Sequence, residues 1–221
     1  WLEKLERERQ TWQWGSGSGK RAMNVIYIYG SSGTAKTTVA IEYLKESCGG
    51  RGFFSVTDYR RDPWDGYAGE KGLLLDELRL PTPVFGVQEM LQMLDGTPYQ
   101  LSRRYANSWA AFDLVVITSN WSPEGQWESL KRSAPLSCPL TDEDRTAFYR
   151  RLSRVLHVNE NGGITDETAV YRGDVDRRGK ITLENLKHVL DTGPGFRVES
   201  LLDLEEYAAD LADGSGVKNE N

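Results

Sequence analysis

The sequence predicts an α/β fold with a central parallel β-sheet flanked by helices, and three observations lead to this prediction. Apolar runs at residues 25–29, 72–75 and 114–117 alternate with segments of helical character along the 221-residue chain. Each run is apolar on both faces, which is typical of strands buried in a parallel sheet. Each run is followed directly by polar residues, and ligands bind beyond the carboxyl ends of such strands. The three strand ends therefore predict one shared binding site.

The remaining elements follow from local signals. The helix predicted at 37–46 ends at a pair of glycines, and a helix at 142–152 begins after Thr141, a good N-cap, with three acids in its first turn. A further helix is expected at 87–94, and short strands at 53–56 and 155–158. These segments complete a layered α/β core.

We divide the chain into three regions. Residues 1–22 comprise a charged helix and a Gly/Ser linker, expected to pack on the main domain or on a neighbouring subunit. Residues 23–158 form the main domain. Residues 159–221 form a small C-terminal extension with an acidic, partly disordered tail.

Composition narrows the classes of function. With 38% hydrophobic and 27% charged residues, the chain is typical of a soluble protein, and no apolar run approaches the roughly 20 residues of a membrane span. The two cysteines are too few for a disulfide framework, so we expect an intracellular protein. The net charge of −6 excludes a protein that is basic throughout, but a local basic stripe can still bind nucleic acid.

The stretch VIYIYGSSGTAKTT is the centre of the chain's chemistry. It fits the phosphate-binding pattern G-x-x-x-x-G-K-[ST] between a strand and a helix, except that Ala35 replaces the second glycine. Alanine, unlike glycine, is strained at positive φ, so we expect an unstrained backbone at this position. Backbone N–H groups of the loop and the helix N-terminus would bind ATP, with Lys36 on the β- and γ-phosphates and Thr37 on Mg²⁺. The expected nucleotide contacts are Gly30, Ser31, Ser32, Gly33, Thr34, Ala35, Lys36, Thr37 and Thr38. The alternative is a Gly/Ser-rich turn that binds nothing.

Two further strand ends carry candidate catalytic residues. Asp76 and Glu77 follow the run LLL, where Asp76 would hold Mg²⁺ and Glu77 would act as general base on the attacking water. Asn120 follows LVVITS, and an amide at this position can orient the water and sense the nucleotide. Taken singly, the acids can be merely solvated, and the Ser-Asn pair can be an ordinary turn.

Together the three motifs resemble the superfamily 3 helicases, in particular the replication initiator (Rep) proteins of small circular single-stranded DNA viruses and related rolling-circle plasmids. The order is fixed, with 76 − 36 = 40 positions from lysine to acid and 120 − 76 = 44 from acid to asparagine. The stretches that carry the resemblance are GSSGTAKTT, WDGYAGEKGLLLDELR, LSRRYANSWAAFDLVVITSN and RTAFYRRL, over roughly residues 24–158.

The resemblance implies an AAA+-type ATPase core that works as a ring, usually a hexamer. It assigns Lys36, Thr37, Asp76 and Glu77 to nucleotide, metal and water, and Asn120 to the sensor position. In the family, basic residues near a hairpin tip contact DNA, and Arg103 and Arg104 match them here. Twin arginines beside a tyrosine suit phosphate contact and stacking, although a solvated loop or pairing with acids would also explain them.

The resemblance also implies an arginine that reaches the γ-phosphate of the next subunit. Arg151 is the first candidate, followed by Arg150 and Arg154, and the alternative for each is a surface salt bridge. The family's upstream nicking endonuclease has paired metal-binding histidines. The only histidines here are His157 and His188, so we expect that domain to be missing from this chain, which should not nick DNA.

The sequence therefore predicts an ATP- and Mg²⁺-dependent DNA helicase domain of a rolling-circle initiator, whose partners are single-stranded DNA and its own copies. A viral origin would imply the nucleus of a eukaryotic host, and a plasmid origin the bacterial cytoplasm. A second hypothesis is an ATP-controlled DNA-binding or assembly module that hydrolyses poorly because of Ala35. A third, a small-molecule kinase, gives no role to Asn120 or to the twin arginines.

Overall fold

The computed structural model describes residues 20–104 and 107–172, together with the backbone of residues 179–181. Most of its strands belong to one seven-stranded sheet, and two belong to a small hairpin. The strands of the sheet are β1 (Asn24–Gly30), β2 (Phe53–Val56), β3 (Gly72–Leu75), β6 (Leu114–Ser119), β7 (Arg154–Val158), β8 (Ile164–Asp166) and β9 (Gly179–Ile181). The hairpin strands are β4 (Gln100–Leu101) and β5 (Ser108–Trp109).

The sheet order is β2-β3-β6-β1-β7-β8-β9. The first five strands in this order pair in parallel, and β8 and β9 are added antiparallel at one edge. The prediction of an α/β fold around a parallel sheet is confirmed. Strand β1 lies between β6 and β7, so the loop that follows β1 begins near the middle of the sheet.

Alternate residues of each central strand face opposite layers. Ile26 and Ile28 of β1 pack with Ala40 and Leu44 of the helix that follows the loop. Val25 and the other odd-numbered residues of β1 belong to a second, aromatic-rich cluster on the opposite face. Both faces of the sheet are therefore buried, which is the reason why its strands are continuous apolar runs in the sequence.

The helices occupy the two outer layers. They are α1 (Lys36–Cys48), which a 3₁₀ turn (Gly49–Arg51) follows, α2 (Val87–Leu94), α3 (Pro123–Ser133), α4 (Asp142–Tyr149) and α5 (Thr168–Arg172). Helix α4 is shorter than predicted, because Ser153 already donates its N–H to Val25 as the chain enters β7. Helix α3 is absent from the sequence prediction, although Ser122 caps it and Pro123 is its first residue.

Two predicted domain boundaries shift. Arg21 already belongs to the main domain, because its guanidinium donates to the carbonyls of Phe112 and Thr97, the latter at 3.2 Å. At the other end the sheet continues through β8 and β9, so the predicted boundary at residue 158 falls inside the sheet. The predicted N-terminal charged helix and the predicted acidic tail lie outside the described residues. In the part of the chain that is described, no helix is both long and apolar enough to cross a bilayer.

Candidate nucleotide site

The loop between β1 and α1 leads directly into the N-terminus of a helix. Helix α1 begins at Lys36 without a side-chain cap and without an acid in its first turn. The first N–H groups of a helix have no partner within the helix, and the helix dipole favours an anion near them. This loop therefore has the chemistry of a phosphate site.

Gly30 and Ala35, at the two ends of this loop, have backbone angles that favour glycine. Gly30 has φ 155°, and a Cβ atom there would lie 2.1 Å from the carbonyl oxygen of Val158 in β7. Ala35 has φ 56° and ψ 17°, in the left-handed region. The expectation that alanine marks an unstrained backbone is wrong, because the residue before the helix turns the chain left-handed even without glycine.

The Lys36 side chain lies along the inside of this loop. Its ammonium donates to the carbonyl oxygen of Ser31 at 2.6 Å and lies 3.3 Å from the Thr34 hydroxyl. Burial lowers the pKa of Lys36, and the charges of Glu77 and Asp76 oppose that shift. A cation that is 7% exposed and donates its hydrogen bonds to neutral oxygens gains strongly from a bound phosphate.

Asp76 is fixed by two hydroxyl groups. Thr37 of α1 and Thr118 of β6 each donate to the same oxygen, Oδ1, at 2.7 Å. The structure thus brings the phosphate loop, the acidic pair and the end of β6 together. Mg²⁺ is commonly held by one or two carboxylates and by substrate phosphates, so Asp76 and Thr37 fit this ion. Within the described residues no cluster of three or more His, Cys, Asp or Glu side chains forms a metal cage.

Glu77 has an exposed side chain beside this site and a strained backbone. Its φ is 49°, in the left-handed region that non-glycine residues rarely occupy. The Thr118 hydroxyl accepts the Glu77 N–H at 2.9 Å, and Leu78 donates its N–H to the Thr118 carbonyl at 2.9 Å. Such strain persists only where the surroundings enforce it, and it clusters at functional sites.

Tyr59 contacts the main chain of the acidic pair. Its hydroxyl lies 2.7 Å from the carbonyl oxygen of Asp76 and 3.1 Å from that of Val56. Burial raises the pKa of Tyr59, so its hydroxyl remains a proton donor. The ring packs edge-on against Phe85 at 5.9 Å between centroids. Tyr59 therefore fixes the main chain that carries the acid.

Asn120 is half-buried at the end of β6, as predicted, and its neighbours hold that strand end in place. Ser119 donates to the Leu78 carbonyl at 2.7 Å and accepts the N–H of Trp121 at 3.0 Å. The amide of Gln126, which is fully buried, donates to the same carbonyl at 2.7 Å. These bonds fix Asn120 relative to the acidic pair.

Arg103 and Arg104 lie in the loop between β4 and β5. Arg104 Nε lies 2.8 Å from Asp62 Oδ2 and 3.6 Å from Asp65 Oδ2. Arg103 donates to the carbonyl oxygen of Asp65 at 3.0 Å. The structure therefore shows both features left open by the sequence: the arginines are on a hairpin loop, and Arg104 is paired with acids.

The three candidate finger arginines differ in their surroundings. Arg151 donates to the carbonyl oxygen of Ala147 at 2.7 Å and to Asp95 at 2.9 Å, and its side chain is 14% exposed. The salt-bridge alternative describes Arg151 better than a role in another subunit, because leaving Asp95 would break a part-buried ion pair. Arg154 is 3.4 Å from Asp166, whereas Arg150 is exposed at the end of α4.

Three residues of the site were missed in the sequence, namely Thr118, Tyr59 and Gln126. Thr118 lay within the predicted strand end, and its position beside Asp76 follows only from the pairing of β3 with β6. Tyr59 lies in a loop, and no sequence spacing relates it to Asp76. Gln126 lies in helix α3, whose Ser-Pro start was an available signal.

The fold and these contacts together are consistent with a P-loop NTPase fold. Residues 26–121 match the family model described as RNA helicase. The matched span runs from β1 to the residue after Asn120, so it contains the loop, the acidic pair and the hairpin. A comparison with curated proteins found no match to the chain. The match supports a helicase-like P-loop domain, with the nucleotide use that such a domain implies.

Proposed function

We propose that this domain hydrolyses ATP with Mg²⁺ and uses the energy to translocate on single-stranded DNA as a ring of identical subunits, as in a rolling-circle replication initiator. The observation that carries the hydrolysis is the position of Asp76, which is held between Thr37 and Thr118 beside an uncapped helix N-terminus. A site that only bound nucleotide would not need the adjacent Glu77.

Each residue has a role in the proposed reaction. The N–H groups of the loop and Lys36 would bind the phosphates, and Thr37 and Asp76 would hold Mg²⁺, which neutralises charge on the phosphates when bound. Glu77 would take the proton of the attacking water, and Asn120 would orient that water. Exposed Arg150, rather than Arg151, is the better candidate for a finger toward a neighbouring subunit.

The exposed arginine loop between β4 and β5 supports single-stranded nucleic acid as the polymer, because arginine neutralises phosphates in an otherwise acidic chain. The matching family model is described as RNA helicase, so RNA is the natural comparison in any test. The second candidate function, an ATP-controlled binding or assembly module, is favoured by the strained Ala35 in the phosphate loop.

The test is ATP hydrolysis with Mg²⁺ by the wild type and by Glu77→Gln, without polymer and with single-stranded DNA or RNA of the same sequence. Removal of a general base is expected to lower turnover by about 10²–10⁴-fold while ATP binding persists. Turnover of the wild type should rise with protein concentration and with DNA.

The matched control is Glu128→Gln, which neutralises an exposed carboxylate of α3 and should leave turnover unchanged. Wild-type turnover no higher than that of Glu77→Gln at any concentration would favour the binding module. Stimulation by RNA but not by DNA would reassign the polymer.

A further inference from the structure

The segment at residues 57–67 contacts both the nucleotide site and the arginine loop. It leaves the carboxyl end of β2, the strand that pairs with β3 and so lies beside Asp76. The proposed function requires that ATP and nucleic acid affect each other's binding, but it does not say through which atoms.

At its first end the segment contacts the acidic pair. The Tyr59 hydroxyl donates to the main-chain carbonyl of Asp76 at 2.7 Å. Glu77, the next residue, has a left-handed backbone, so the peptide between Asp76 and Glu77 has little freedom. A displacement of Asp76 upon metal or phosphate binding would therefore move Tyr59.

At its other end the segment contacts the arginine loop of the hairpin and the chain just after β5. Asp62 and Asp65 bind Arg104, including its main-chain N–H, which lies 3.2 Å from Asp65 Oδ1. Beyond β5, Ala111 donates its N–H to the Tyr67 hydroxyl at 2.8 Å. The hairpin is thus attached to the segment at the loop between its two strands and again after its second strand.

Between these ends two buried rings, Trp64 and Tyr67, anchor the segment. Trp64 is 4% exposed and Tyr67 is fully buried, and both rings contact Phe112 at about 6 Å between centroids. The main chain closes two tight turns, with Asp65 N–H to Asp62 at 3.1 Å and Tyr67 N–H to Trp64 at 3.0 Å. A packed, hydrogen-bonded segment moves as a unit and transmits displacement.

We propose that residues 57–67 couple the nucleotide site to the arginine loop, with Tyr59 as a positioning residue and with Asp62 and Asp65 holding the arginines. This inference rests on the proposed function. Phosphates of the nucleic acid would compete with the two carboxylates for Arg104, because both are anions that an exposed guanidinium binds. The nucleotide state, through Tyr59, would decide how closely the carboxylates hold it.

The experiment measures the affinity for fluorescent single-stranded DNA with and without a non-hydrolysable ATP analogue and Mg²⁺. The ratio of the two Kd values is the coupling, and typical couplings are about 5–150-fold. The variants are Tyr59→Phe, which keeps the ring against Phe85, and the pair Asp62→Asn with Asp65→Asn. In both we expect the ratio to fall to within about twofold of one, with each ligand still bound alone.

Two controls separate coupling from general damage. Tyr43→Phe removes a tyrosine hydroxyl of α1 on the other side of the sheet, and Glu42→Gln removes a carboxylate from the exposed pair with Lys45. Both should retain the wild-type ratio. If Tyr59 had a merely structural role, Tyr59→Phe would weaken the binding of both ligands without changing the ratio of the two Kd values.

The possible outcomes are distinct. Variant ratios equal to the wild-type ratio would overturn the coupling role of residues 57–67 while leaving the proposed function intact. A wild-type ratio of one with both ligands bound would count against the coupling and the proposed function together. A wild type that binds neither DNA nor RNA would remove the proposed function and the coupling with it.

Discussion

Helices α1 and α4 begin in opposite ways. At α4 the Thr141 hydroxyl accepts the N–H of Asp144 at 3.3 Å, and the Asp144 carboxylate accepts the N–H of Thr141 at 2.9 Å. Acids fill its first turn. Helix α1 has no side-chain cap and no acid, and it begins after a left-handed alanine.

The difference separates stability from function. Helix α4 satisfies its own donors and its dipole, so its start contributes to folding. Helix α1 leaves the same donors and the same dipole for a ligand, and it contains a buried lysine beside them. Changes at the start of α1 should therefore affect nucleotide binding more than folding, whereas changes at the start of α4 should affect folding alone.

The largest expected effect is at Lys36. Lys36→Met should weaken ATP binding by about 1.5–3 kcal/mol, roughly tenfold to 100-fold in Kd, because charge-assisted hydrogen bonds to phosphate are lost. The free energy of unfolding should not fall, since a buried cation is replaced by an apolar side chain of similar length. Calorimetric titration and urea unfolding test both statements, and a stability loss with unchanged ATP affinity would contradict the comparison.

Thr118→Val should lower both the free energy of unfolding and the rate of ATP turnover. It removes the hydroxyl that donates to Asp76 and accepts from Glu77, which leaves the Glu77 N–H without this partner and Asp76 Oδ1 with only the bond from Thr37. We expect a loss of about 1–3 kcal/mol in the free energy of unfolding, together with weaker Mg²⁺-dependent turnover. Thr165→Val, in the antiparallel part of the sheet, is the isosteric control. Full turnover in Thr118→Val would show that the hydroxyl does not position Asp76.

Thr141→Ala should change stability alone. Loss of the cap costs about 1 kcal/mol, measured by urea unfolding, because the first N–H groups of α4 lose their partner. ATP turnover below the unfolding transition should equal that of the wild type. Reduced turnover at full folding would place α4 in the catalytic assembly and end the contrast with α1.

Ala35→Gly should have the smallest effect. Relief of a left-handed alanine gains about 1–2 kcal/mol, and the greater freedom of the unfolded chain offsets about 0.4–1 kcal/mol of it. The net expectation is a rise of about 0–1.6 kcal/mol in the free energy of unfolding, with ATP affinity unchanged. Ala147→Gly, inside α4, should lower stability by about 0.5–1 kcal/mol. A loss of stability in Ala35→Gly would contradict the inference that the backbone of Ala35 is strained.

The sequence predicted the parallel strands and their polar ends well, because strands buried on both faces are continuous apolar runs. It predicted that Lys36, Asp76 and Asn120 lie beyond the carboxyl ends of neighbouring strands. The sheet order places β3, β6 and β1 side by side, in agreement with this prediction. The added strands β8 and β9 were not predicted, since three-residue antiparallel strands leave no periodic signal.

The contacts that hold the site were beyond the sequence. Thr118 meets Asp76 only because β3 and β6 are neighbours, and Tyr59 reaches the same residue from a loop. For Arg151 the sequence left two readings open, and packing against Asp95 distinguishes them. Such pairings depend on register and loop path, which local propensity does not determine.

The close approach of β7 to Gly30 has a consequence for the history of such domains. A side chain at Gly30 would collide with the Val158 carbonyl whether or not any nucleotide binds. Lys36, in contrast, has no packing role that a neutral side chain could not take over. A descendant that had lost nucleotide binding would be expected to keep Gly30 and to vary at Lys36. A retained Gly30 would therefore indicate common descent, and a retained Lys36 would indicate that nucleotide binding has been kept.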